Sequence, residues 1–203
     1  VDNVTKIACV LPSEFTKDGR QFPLEEVRRA IMSTHFAPDI NLCHQESPFD
    51  TKLGYVKNWL IKGRKIYATL VMPRVAYDFL AFTECLAVSF EFLPPAGKST
   101  PTNDIGNDNI RMNVSTDIVT ALSVVDHPAF DGAKILDDEA DKDEIAGLED
   151  AETIPAYERA TQRDRELRYA YEEVCSVEEA AQKVKNAFRG VPGGMTFMDM
   201  IRR

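Results

Sequence analysis

Hydrophobic and polar positions alternate along the chain with two different periods, and the switches between them mark a string of short elements. Val4 to Leu11 is apolar, rich in β-branched residues and stops at Pro12-Ser13, which predicts a strand running into a loop. Lys17-Asp18-Gly19-Arg20 reads as a turn. From Pro23 the period lengthens: Leu24, Val27, Ala30 and Ile31 fall on one face, with Glu25 and Glu26 in the first turn, which predicts an amphipathic helix. The brief apolar run Ile40 to His44 follows. Leu53 to Ile61 and Lys65 to Met72 then flank Lys62-Gly63-Arg64 as a predicted hairpin. Arg74 to Cys85 has helical spacing after Pro73, and Leu86 to Leu93 predicts a strand ending at Pro94-Pro95. Residues 95–109 are rich in Gly, Pro, Ser, Thr, Asn and Asp and read as a long loop. Ile110 to Val125 reads as two strands or one bent strand.

Beyond Leu136 the pattern breaks. Asp137 to Glu152 holds nine acids against the single Lys142, and from Pro155 the chain is helix-forming as far as Gly190. Pairs four residues apart, such as Arg168 with Glu172, suit a solvated helix, and Pro192-Gly193-Gly194 reads as a hinge. This divides the chain into a globular domain at 1–136, an acidic linker at 137–154 and a helical scaffold-like or accessory segment at 155–203. Short strands, varied connections and the lack of sustained βαβ alternation predict an α+β, mainly β fold. Its expected form is a small, mostly antiparallel β-barrel with helices packed outside and a C-terminal helical segment.

Composition narrows the function classes. With 203 residues, 44% hydrophobic and 28% charged, the chain has enough material for one good core plus an accessory segment. The net charge of −9 is concentrated in the acidic stretch, which argues against nucleic acid as a direct ligand. Cys9, Cys43, Cys85 and Cys175 are far apart without a CxxC pair, so a reducing compartment and no disulfide framework are expected. No apolar run reaches the roughly 18 residues of a membrane span, and the opening residues lack a signal-peptide pattern, so an intracellular, membrane-free protein is expected.

Candidate chemistry is sparse. The three histidines are His35, His44 and His127, and they are the ordinary candidates for a neutral-pH base. His35, near the end of the first helix, suits a role against the helix dipole, and His127 in Asp126-His127-Pro128 suits a structural turn. His44 stands where an apolar run opens to solvent. Ser89 is the odd hydroxyl in Leu86-Ala87-Val88-Ser89-Phe90-Glu91-Phe92; it either points outward from a half-exposed strand or belongs to a site with Glu91. No metal-ligand spacing, Walker loop or dinucleotide fingerprint occurs, so neither a metal nor a cofactor is expected.

Five segments in order, Lys17-Asp18-Gly19-Arg20, Ile40-Asn41-Leu42-Cys43-His44, the Leu53-to-Met72 strand pair, Ala87-Val88-Ser89-Phe90-Glu91 and Thr120-to-Ala129, give residues 4 to about 136 a resemblance to a known family. The chain resembles the capsid-maturation (prohead) serine proteases of tailed phages, of the type fused to its own scaffold, which are distantly similar to herpesvirus assemblins. The resemblance implies a barrel of that type, with His44 as base, Ser89 as nucleophile and Asp18 as the third member; Asp117 and Asp126 are the alternatives for the last role. It further implies cleavage of scaffold, capsid-protein extensions and the chain itself inside the procapsid in the host cytoplasm. The partners implied are the capsid scaffold protein, the major capsid protein and further copies of the chain. Two other classes stay open: a non-catalytic scaffold or assembly protein sharing the barrel, and a cysteine hydrolase using Cys43, disfavoured because neighbours along a strand face opposite ways.

Overall fold

A computed structural model describes residues 2–43, 52–93 and 110–156. Strand β1 (Asn3–Leu11) leads through a loop to helix α1 (Leu24–Ser33) and strand β2 (Asp39–Leu42). The hairpin β3 (Lys52–Lys62) and β4 (Lys65–Pro73) turns where predicted, with Gly63 at the first of two turn positions and φ of 59°. A positive φ there is what a two-residue hairpin turn asks for, and glycine supplies it without strain. Helix α2 (Arg74–Phe82) and strand β5 (Ala87–Leu93) come next, then β6 (Ile118–Val125) and the short β7 (Lys134–Ile135). Ile110 to Val125 contains one regular strand, β6; the residues before it touch the β1–α1 loop through the bridge of Gln21 with Arg111.

The strands run in the order β2, β6, β5, β7, β1, β4, β3, and β2 also pairs with β3, so the sheet closes on itself as a seven-stranded barrel. Every pairing in the ring is antiparallel except β2 with β6. The fold is thus mainly β with few helices, as the alternating patterns predict. Inside, Trp59 of β3 stands in register with Ala68 of β4, which stands opposite Ala8 of β1. The two alanines leave room for the indole, which is buried and stacks on Phe90 of β5 with ring centroids 5.6 Å apart. Volume is traded across facing positions, as a small barrel requires. Helix α1 adds Val27, Ala30 and Ile31 to the same core, and α2 adds Ala76, Phe79 and Leu80. Thr34, just past α1, ties that helix to the barrel: its hydroxyl donates to Ala30 O and accepts from the Val119 backbone N–H, each at 2.9 Å. Among the described residues no helix is long and apolar enough to cross a membrane.

The acidic stretch departs from the expected linker. Helix α3 (Lys142–Ala146) and strand β8 (Glu152–Pro155) lie against the barrel, β8 pairing with β3 from Asn58 to Ile61. Pro155, expected to open a helix, ends this strand opposite Asn58. Five barrel-side cations meet five of the acids: Lys6 with Asp138, Lys65 with Glu144, Lys134 with Asp141, Arg28 with Glu152 and Lys62 with Asp150. Exposed pairs are each worth only about 0–1 kcal/mol, so the apolar residues scattered among the acids hold the segment down. Leu148 buries itself against Cys9, Tyr67 and Leu136, and Ile154 joins the main core beside Trp59. The expected boundary near residue 136 therefore falls inside folded structure, and the predicted helix after Pro155 lies, from residue 157 onward, outside the described residues.

Leu148→Ala should cost about 2 kcal/mol, the low end for removing a buried leucine, as read by urea unfolding. The same change should speed alkylation of Cys9, whose thiol burial pushes up to about 12, with mass mapping to separate it from the exposed Cys43.

Candidate active site

Strand alternation in β5 directs Val88 and Phe90 into the barrel and Ser89 to the outer face, where Glu91 precedes a bulge. Ser89 stands directly opposite Ser123 of β6, and Ser123 stands beside Asn41 of β2. Three polar side chains on three neighbouring strands thus form one row across the outside of the barrel. All three are buried, at 6%, 0% and 6% exposure for Asn41, Ser123 and Ser89. The next row carries Asp39, Ala121 and Glu91.

Polar groups this deep are normally paired, and the row is only partly so. The Ser123 hydroxyl lies 3.2 Å from Cys43 O and within hydrogen-bond reach of the Glu91 carboxylate; its one proton serves one acceptor at a time. Among the described residues Asn41 Oδ1 is buried without a partner, while the Ser89 hydroxyl makes no side-chain hydrogen bond and borders a cavity instead of being sealed off. Sequence reading singled out Ser89 but not Ser123 or Asn41. The signal was the same for Ser123, a hydroxyl inside the apolar run Ala121-Leu122-Ser123-Val124-Val125.

At the end of β2, Cys43 adopts φ of 61° and its N–H bonds to Val124 O at 2.8 Å, one residue from Ser123. His44 lies outside the described residues. Burial, then the nearby Asp126, raise the Cys43 thiol above its ordinary value, which leaves it the less reactive thiol form and counts against a cysteine nucleophile. Of the other histidines, His35 sits just beyond α1 and is exposed, and His127 is exposed, 3.9 Å from the equally exposed Asp126.

The three acids considered for the third role stand in different settings. Asp18 takes the Arg20 Nε–H at 2.9 and 3.1 Å and the Thr16 hydroxyl at 2.5 Å; these bonds, Arg20 foremost, hold it down to about 2. It is an ionised carboxylate that two neighbours orient. Asp126 is solvent-exposed. Asp117, just before β6, is 2% exposed, its Oδ1 has no partner among the described residues, and burial raises its carboxyl above the usual range.

A folded pKa above the unfolded one means that ionising Asp117 opposes folding. The penalty is absent below the ordinary carboxylate range and complete at neutral pH. Asp117→Asn should therefore raise the melting temperature at pH 7, and the gain should vanish as pH falls below about 4. Thermal melts of the two proteins across that range check it.

A cavity of about 360 Å³ opens beside this row. Ser89, Arg20 and Asp117 reach its wall with the rings of Phe22, Phe92 and Phe130. On the β7 side only Ala87 of β5 has a strand partner among the described residues, so from Ser89 onward residues of both faces border this open edge. Phe22 stacks on Phe92 at 6.0 Å and meets Phe130 edge-on at 5.4 Å, which holds the β1–α1 loop against the strand and positions Arg20.

No family model matches this chain, and no curated protein matches it.

Proposed function

We propose that this chain is a serine endopeptidase of phage capsid maturation, built on an assemblin-type barrel. The observation that carries the reading is the Ser89 hydroxyl: on a barrel strand at the wall of a cavity, without a side-chain hydrogen bond among the described residues, beside the strand end from which His44 follows. A structural serine at such a depth would be expected to spend its hydroxyl on the backbone or a neighbour, as Ser123 does. A nucleophile must keep it free for a base and a substrate. In the mechanism that the resemblance implies, His44 takes the Ser89 proton as Oγ attacks the scissile carbonyl, then returns it to the leaving amine. Asp18 would steady the imidazole as a fully ionised carboxylate. The substrates would be the capsid scaffold protein, extensions of the major capsid protein and the chain itself, inside the procapsid.

Co-expression with the scaffold and capsid proteins, followed by mass mapping of the cleaved ends, tests this. Parent protein should generate new termini and Ser89→Ala should generate none. Processing at an unchanged rate in the variant would sink the nucleophile assignment. Assembly that survives Ser89→Ala but fails on deletion of residues 157–203, with no cleavage in either case, would favour a scaffold without catalysis.

A further inference from the structure

The cavity beside Ser89 has a chemistry that the catalytic reading does not use. Its walls are largely aromatic, from Phe22, Phe92 and Phe130, with Met112 and Val114 completing the apolar surface. Into this surface is set one carboxyl, Asp117, nine-tenths buried and more, with Oδ1 unpartnered among the described residues. The other charge on the wall, Arg20, shares its Nε–H between both oxygens of Asp18, and among the described residues Asp117 has no counter-ion. A buried carboxylate with no cation and no donor is costly, and the structure offers space next to it instead of a partner. Aromatic faces attract a cation, and a carboxylate pairs with one.

We propose that this cavity is a recognition pocket for a basic side chain, lysine or arginine, of the polypeptide substrate. Its volume of about 360 Å³ holds such a side chain with its stem against the phenylalanine rings and its charged head at Asp117. The open edge of β5 lets an extended chain pass Ser89 while one side chain enters the pocket. The raised carboxyl of Asp117 fits the same picture, since an entering cation restores the ionised form. The assignment of the pocket to substrate rests on the protease reading; its affinity for a cation does not.

The experiment therefore has two arms on the full chain. In the first, the Ser89→Ala protein is titrated calorimetrically with benzamidine and with neutral benzamide. Benzamidine should bind roughly tenfold or more tightly than benzamide, and Asp117→Asn should remove that difference. Met112→Trp, which fills the cavity and leaves Asp117 in place, should abolish binding of both. Equal binding of the two probes, or a difference that survives Asp117→Asn, overturns the proposal. In the second arm, the parent protein is given peptides that differ only in carrying Lys, Arg or Ala at one position near the cleaved bond. The basic peptides should be cut with roughly tenfold or higher kcat/KM, and Asp117→Asn should level the series. Cleavage without that preference overturns the substrate assignment even where benzamidine binds. Asp117-dependent binding of benzamidine with no peptide cleaved by any protein keeps the cation pocket and sinks the protease reading instead.

Discussion

Ser89→Ala is expected to lower peptide-bond hydrolysis by about 10⁴-fold or more while leaving the protein about as stable as its parent. The two halves of that expectation have one cause. The Ser89 hydroxyl makes no side-chain hydrogen bond among the described residues and borders the cavity, so replacing it with hydrogen loses no hydrogen bond there. Ser123→Ala is the contrast. It faces Ser89 across the strand pair but serves Cys43 O and Glu91, so its removal should cost about 1 kcal/mol. Steady-state rates on a cleaved peptide and thermal melts of both variants check the pair. An active Ser89→Ala protein, or one destabilised like Ser123→Ala, would make Ser89 a structural residue.

Gly54→Ala should be the most damaging single substitution for stability among those considered. A Cβ placed at Gly54 would sit 2.1 Å from Val71 O and 3.0 Å from Met72 Cα, all backbone of the adjoining strand β4. Neither atom moves without parting β3 from β4. Gly54 also stands in register with Ile40, in the short β2–β3 pairing that closes the barrel. The cost should reach about 3 kcal/mol or more. That corresponds to a fall of roughly 6–12 °C in Tm for a domain of this size, read by calorimetry. Gly63→Ala is the milder control: its φ of 59° strains an L-residue, but no atom of the described residues lies within 4 Å of the added carbon. It should cost about 1 kcal/mol.

The acidic stretch shows where sequence reading went astray and why. Nine acids in sixteen positions look like a solvated run, and the eye passes over Ile145, Leu148 and Ile154 among them. Those apolar residues decide the outcome, because burying Leu148 and Ile154 is worth more than the surface ion pairs around them. The pairs then account for the charge asymmetry: Lys6, Lys62, Lys65 and Lys134 are the counter-ions that the acids lack in their own segment.

What the sequence determined by itself is what depends on neighbours a few residues apart. The hairpin at Gly63, the faces of α1 and α2, the alternation in β5 and the oddity of a hydroxyl at Ser89 all follow from local period and turn chemistry. Closure of the barrel through β2 with β3, the parallel seating of β6 on β2, and the row of Asn41, Ser123 and Ser89 were decided only by the tertiary structure. So was the meeting of Arg20, Phe130 and Asp117 around one cavity. Those are registers between strands distant in the chain, and a register is chosen by the whole core at once: slipping one strand by one residue would turn Ser89 inward and Phe90 out.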